Sequence, residues 1–320
     1  MPEQTHDLTT AGWLPTIEFM EGNRRSGRHR NLAAGCYDSR TMIADPEHKP
    51  DSVDASSAEE AVEAKSADAE PVETESEPLP QQGLARSIAL HLIPGAVATA
   101  IYVACLPAVT SAGYPALAAL LIASVVGLAP IELGLLFFEG KRKNSRWSLD
   151  GILLYRESWP TSRYFTIVPV LFLICIAAIG ISVPIDRLWA RVAFSWLPAK
   201  YVFMGIKQYA GFSRNALLAT FVPRFVLGML VPIVEEMYFR AYLLPRISRL
   251  GARAVFLNSG LYALQNFALL YSLPSMFLAS LPIVIVTRMT HNYRPGMVTR
   301  IVLGLLGGLL GLIGVMHLAR

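Results

Sequence analysis

Two carboxylates stand side by side in an apolar run, Val231-Pro232-Ile233-Val234-Glu235-Glu236-Met237-Tyr238-Phe239-Arg240. Of the 24 acidic residues in the chain only seven lie beyond residue 84, so the sequence around this pair is otherwise poor in carboxylates. An ionisable group costs about 3 kcal/mol or more near the centre of a bilayer, which makes an intramembrane pair a functional candidate by default. On a helix Glu236 and Arg240, four apart, share a face, while Glu235 points roughly 100° away. Arg240 then neutralises and orients Glu236, and Glu235 is the carboxylate suited to act as a general base on water. The same three charges also suit a buried ionic staple between helices.

The elements that must position this pair are membrane spans. The hydrophobic fraction of 53% and mean hydropathy of +0.42 average two unlike regions. Residues 84–320 are a series of apolar runs, predicting an all-α polytopic membrane bundle of about seven spans. Those spans run near 88–109, 114–138, 164–183, 215–234, 254–271, 273–289 and 297–316. The fourth is expected to continue through the glutamates to about Arg249, with Gly251 as its stop and Pro223 and Pro232 as kinks that loosen backbone bonding near the pair. Gly304, Gly307, Gly308 and Gly311 give small-xxx-small spacing at 304/308 and 307/311, which predicts close helix packing.

Residues 1–83 carry 17 acidic and 7 basic residues, against 7 and 21 in the remainder. The acidic stretch from Asp45 to Glu77, and the tail that contains it, read as disordered, with the basic cluster Arg24, Arg25, Arg28 and Arg30 solvated. Charge divided in this way does not point to nucleic acid. Cys36, Cys105 and Cys175 have no disulfide or zinc spacing. The basic loop between Glu139 and Arg163 places itself, and with it the N-terminus, in the cytoplasm. That topology puts residues 185–214 outside, where Trp189, Trp196 and Tyr201 among spaced charges read as an interfacial amphipathic helix.

The string Glu235-Glu236-Met237-Tyr238-Phe239-Arg240 resembles the Glu-Glu-x-x-x-Arg motif of the CPBP intramembrane proteases, the CAAX-processing or Abi family. The resemblance covers about residues 215–316. It implies a polytopic, glutamate-dependent endopeptidase in which Glu235 activates water, histidines assist and a final asparagine forms an oxyanion site. The family's second motif, an aromatic-x-x-x-His, falls on Tyr262 and Asn266, so asparagine stands where histidine is expected. An asparagine amide hydrogen-bonds water but cannot shuttle a proton as imidazole does. The run Thr287-Arg288-Met289-Thr290-His291-Asn292 resembles the lead-in to the third motif, and carrying its spacing forward puts Arg300 at the histidine and Gly304 at the asparagine. Arg300 then either serves as an electrostatic donor or pairs with Glu235 in a fixed network of two glutamates and two arginines.

The candidate catalytic set is therefore Glu235, Glu236, Arg240, Asn266 and Arg300. His91 is read as interfacial and His291 as an ordinary solvated turn residue; with no His-Glu-x-x-His spacing, neither a metal nor another cofactor is expected. Glu132, the remaining acidic residue within a span, pairs with Arg224 or lies near the bilayer edge. The expected partners are the lipid bilayer and a membrane-associated peptide or protein, in a multi-pass protein of a bacterial plasma membrane. The alternative is a non-catalytic protein of the same fold that binds a peptide or membrane partner.

Overall fold

The structure, a computed structural model, describes residues 79–318, and the regular elements among them are helical, with one isolated bridge between Arg156 and Asn292. The disordered tail expected over residues 1–83 lies outside the described residues as far as residue 78. Its last residues are docked: Gln81 donates to the Pro245 carbonyl and the Ser248 hydroxyl, and the Gln82 amide donates to the Arg246 carbonyl.

Seven helices of eight or more residues follow among the described residues. They are α1 (Leu84–Ser111), α2 (Ala116–Asn144), α3 (Thr161–Ala193), α4 (Arg214–Leu250), α5 (Arg253–Leu264), α6 (Leu273–Thr290) and α7 (Arg294–Leu318). Six segments are long and apolar enough to cross a membrane: α1, α2, α3, α4, the run Phe267–Thr290 that contains α6, and α7. With large apolar side chains such as Val103, Phe165, Leu173 and Ile181 facing outward on these segments, the chain is an integral membrane protein.

The fifth predicted span, 254–271, is made in two pieces. α5 ends after twelve residues, Asn266 leaves helical geometry (φ −81°, ψ 58°), and a 3₁₀ turn occupies Phe267–Ser272. The Asn266 side-chain amide donates to the Tyr262 carbonyl at 3.0 Å, taking the acceptor that its own backbone N–H would use in a continued helix. Gly95 of α1 approaches so closely here that a Cβ on it would lie 1.8 Å from the Gln265 carbonyl oxygen. Arg288 bonds the Gly251 carbonyl before α5, and the Tyr271 hydroxyl accepts from the Phe203 amide at the other end of the bundle. The chain thus still passes from one end to the other between residues 253 and 272.

Residues 185–193 do not form an interfacial helix. They continue α3, and only short 3₁₀ turns follow at Ala199–Tyr201 and Lys207–Tyr209. The cause is a tertiary tie: Asp186 accepts from the Ser275 amide in the first turn of α6, and Trp189 donates to the Leu270 carbonyl.

α4 changes pitch at the glutamates. It is α-helical to Glu235, π-helical over Glu236–Leu243 and 3₁₀ over Leu244–Leu250, and Gly251 ends it at φ 60°. Widening the turn frees carbonyls, each of which must find a donor inside a bilayer. Asn258 donates to the Phe239 carbonyl (3.0 Å), the Leu154 amide to that of Ala241 (2.9 Å) and Arg246 to that of Tyr242 (2.6 Å). The largest apolar cluster, with Leu136, Ile152, Tyr238, Phe239, Tyr242 and Tyr262, surrounds this segment. The basic loop after α2 supplies Ile152 and Leu153 to it, and farther out on that loop the Ser148 hydroxyl bonds Asp150 and holds its carboxyl below the usual range.

Small residues set the distance between α4 and α7, as expected where lipid removes the hydrophobic drive for helix association. A Cβ on Gly304 would lie 2.0 Å from the Gly228 carbonyl oxygen, and one on Gly308 would lie 2.9 Å from the Phe225 Cα. Pro232 has no N–H to offer that Gly228 carbonyl, so it is free to face α7. Gly307 faces open space, so the contact runs through 304, 308 and 311.

Candidate functional site

The α-to-π switch in α4 places the two glutamates differently from an ideal helix. Glu236 and Arg240 form a fully buried ion pair, but at 3.6 Å between Nε and Oε1, because in a wider turn residues four apart no longer stack. Glu235 is not free. Arg300 of α7 reaches both carboxylates: Nη1 donates to Glu236 Oε1 at 3.1 Å, and Nη2 contacts Glu235 Oε2. Gly296, one turn before Arg300, makes room for this, since a Cβ there would lie 3.2 Å from Glu236 Oε2.

Tyr262 of α5 completes the arrangement. Its hydroxyl donates to Glu235 Oε2 at 3.2 Å and accepts from Arg300 Nη2. The ring packs against both guanidinium groups, 4.3 Å from Arg240 Cζ and 4.9 Å from Arg300 Cζ. The sequence marked Tyr262 only as the aromatic of the second motif; that spacing was the signal available for its role beside Glu235.

Glu235, Asn266, Arg300 and Gly304 line one cavity of about 530 Å³, whose walls come from α2, α3, α4, α5, α6 and α7. Glu236 and Arg240 do not line it; both are buried behind Glu235. Glu235 spends Oε2 on Arg300 and Tyr262, and Oε1 has no hydrogen-bond partner among the described residues. Asn266 keeps its side-chain oxygen available, its amide being engaged with the Tyr262 carbonyl.

Two expectations are corrected. His91 is not interfacial but buried: Nδ1 lies 2.7 Å from the Ser87 carbonyl and Nε2 3.0 Å from Asn258 Nδ2, in a span whose partner is far away in sequence. Glu132 does not pair with Arg224. It is fully buried on α2, one turn from Leu128 and Leu136, and its electrostatic neighbours are Glu235, Arg300 and Arg240. Neither of its oxygens has a hydrogen-bond partner among the described residues. His291 is exposed at the end of α6, as read. Among the described residues no group of three or more His, Cys, Asp or Glu is placed to hold a metal ion.

The segment that carries this site is similar to a known family. Residues 217–306 match the family model described as Type II CAAX prenyl endopeptidase Rce1-like. No curated protein and no solved structure matches the chain. The matched segment holds Glu235, Glu236, Arg240, Tyr262, Asn266 and Arg300, and the similarity over it is consistent with the CPBP family.

Proposed function

We propose that this protein is an intramembrane endopeptidase that hydrolyses a peptide bond of a membrane-associated substrate with water activated by Glu235. The observation that carries the reading is the asymmetry of Glu235: one oxygen is fixed by Arg300 and Tyr262, the other is uncommitted, and the residue lines a cavity of about 530 Å³. Glu235 Oε1 takes a proton from water as the water oxygen attacks the carbonyl carbon. The same carboxyl then returns the proton to the departing amine nitrogen as the C–N bond breaks, so that water is consumed and an acid and an amine are released. Arg300 holds a fixed positive charge on the cavity wall, where it can balance the developing oxyanion. With asparagine and arginine at the histidine positions, Glu235 must carry out both proton transfers itself. Glu236 and Arg240 orient Arg300 from behind. The basic loop after α2 supports a cytoplasmic N-terminus.

A second reading, a CPBP-fold protein that binds a peptide or membrane partner without cleaving it, is favoured by one observation: Arg300 bridges both glutamates and closes a network of two glutamates and two arginines. Glu235→Gln separates the two. In purified protein reconstituted with a membrane-peptide library, the hydrolase reading expects cleavage by wild type and a loss of about 10²–10⁴-fold in the variant, at an unfolding midpoint within a few degrees. No cleavage by wild type, with peptide binding intact in both, establishes the second reading instead.

A further inference from the structure

Glu132 of α2 is fully buried, does not line the cavity at Glu235 and takes no part in the proposed hydrolysis. Its electrostatic neighbours are Glu235, Tyr238 and Arg240 of α4 and Arg300 of α7. Neither of its oxygens has a hydrogen-bond partner among the described residues, and the same holds for Nη1 and Nη2 of Arg240. Counted together, this interior holds three carboxyl groups, Glu132, Glu235 and Glu236, against two guanidinium groups, Arg240 and Arg300. If all five are ionised, one negative charge is left over. So far from water an unmatched charge is costly, and a buried carboxyl takes up a proton instead.

The other titratable groups nearby do not supply the missing positive charge. His91 reaches Arg240 from α1, but its hydrogen bonds define a neutral ring. Asn258 Nδ2 lies 3.0 Å from the Phe239 carbonyl oxygen and 3.0 Å from His91 Nε2. A carbonyl only accepts, so Nδ2 is the donating amide nitrogen and Nε2 accepts from it. The single N–H of the ring is then on Nδ1, donated to the Ser87 carbonyl at 2.7 Å. Tyr238 donates its hydroxyl to the Leu90 carbonyl and is a neutral phenol. The proton therefore belongs to one of the three carboxyl groups. Glu235 and Glu236 both contact Arg300, and Glu236 also pairs with Arg240, whereas Glu132 forms an ion pair with neither arginine. The carboxyl without a cation in contact is the one that gains least from ionising. We propose that Glu132 stands in the membrane as a neutral carboxylic acid, and that its proton sets the charge of the two-arginine centre. With the proton in place the five groups sum to zero, and the charge of Arg300 is free to meet an oxyanion in the cavity. When the proton leaves to water the sum is −1, and repulsion opposes that oxyanion. Glu132 is thus a positioning residue that acts through Arg240 and Arg300 and touches no substrate. Its link to cleavage rests on the peptidase reading of Glu235; the proton on Glu132 does not.

The test is infrared spectroscopy of the full-length protein in nanodiscs at neutral pH. Wild type should show the carbonyl stretch of a buried carboxylic acid, with its shift in heavy water. Glu132→Asp should move that band and Glu132→Gln should abolish it. Absence of the band in wild type overturns the proposal, and a band left unmoved by Glu132→Asp assigns the proton to Glu235 or Glu236 and overturns it as well. Because Glu132→Gln exchanges one neutral group for another, its unfolding midpoint should stay within a few degrees of wild type. A large fall would mean that Glu132 is an ionised partner of Arg240, since removing one member of a buried pair is strongly destabilising. In the reconstituted protein, wild-type cleavage should decline as rising pH removes the proton, and Glu132→Gln, which has no proton to lose, should lack that decline. Parallel pH profiles in the two overturn the link to cleavage. The expected band pattern in a protein that cleaves nothing keeps the proton on Glu132 and rejects the peptidase.

Discussion

Glu235 and Glu236 are the same residue type one position apart, share a guanidinium, and occupy opposite sides of a wall. Glu236 is sealed, with Arg240 fully buried beside it and Gly296 admitting the backbone of α7 against its second oxygen. Glu235 faces a cavity and keeps one oxygen uncommitted. The difference comes from the two nitrogens of Arg300, one to each carboxylate, and from the π-helical segment that begins between the two glutamates. A sealed charge pair costs desolvation that attraction only partly repays, so its value lies in fixing geometry. The open carboxylate is the one with chemistry left to do.

The comparison breaks most sharply at Arg240. Arg240→Met leaves Glu236 buried with Arg300 as its only cation, and removal of one partner of a buried pair costs about 3–5 kcal/mol. The unfolding midpoint in detergent should fall far below that of Glu235→Gln, where an amide still accepts from Tyr262 and Arg300 and the loss is about 1–2 kcal/mol. If the two variants unfold together, the division into a sealed and an open carboxylate is wrong.

Much of this division could be read from the residues, and its limits are physical. Two adjacent glutamates in a carboxylate-poor apolar run, with arginine four later, located the site, and the motif spacing brought in Asn266 and Arg300. Local i,i+4 geometry leaves Glu235 free because it does not see Arg300, which reaches the carboxylate from α7; the motif spacing offers that pairing as one of two alternatives. The π turn is held by donors from elsewhere, Asn258 and Leu154, that no local periodicity encodes. The break in the fifth crossing was hidden for a related reason: hydropathy sees continuous apolar sequence, whereas Asn266 stealing a carbonyl and Gly95 pressing on Gln265 are contacts of side-chain geometry and distant packing. His91 looked interfacial by its place at the mouth of a span, and its partner Asn258 is 167 residues away.

The backbone contact that brings Arg300 to the glutamates gives the next largest effect. Gly304→Ala must displace α7 from the Gly228 carbonyl, 2.0 Å from the new methyl, at a cost of about 1–3 kcal/mol. Because the same displacement draws Arg300 away from both carboxylates, cleavage should fall with stability. Gly307→Ala, on open space, should change neither by a measurable amount. A Gly307→Ala defect as large as that of Gly304→Ala would mean that the two helices do not meet on the 304/308/311 face.

The smallest expected change probes whether Tyr262 belongs to the open side or the sealed one. Tyr262→Phe removes only the hydroxyl between Glu235 Oε2 and Arg300 Nη2, and keeps the ring against both guanidinium groups. Loss of one such hydrogen bond costs about 1 kcal/mol of stability. If the hydroxyl fixes the reactive carboxylate, kcat should fall about tenfold with KM unchanged, the pattern of an interaction used in the transition state. Tyr238→Phe is the matched control, since its hydroxyl bonds the Leu90 carbonyl at 2.7 Å and touches neither glutamate. It should lose similar stability and keep its kcat. Equal kinetics in the two variants would move Tyr262 to the sealed side and leave Arg300 alone in holding Glu235 toward the cavity.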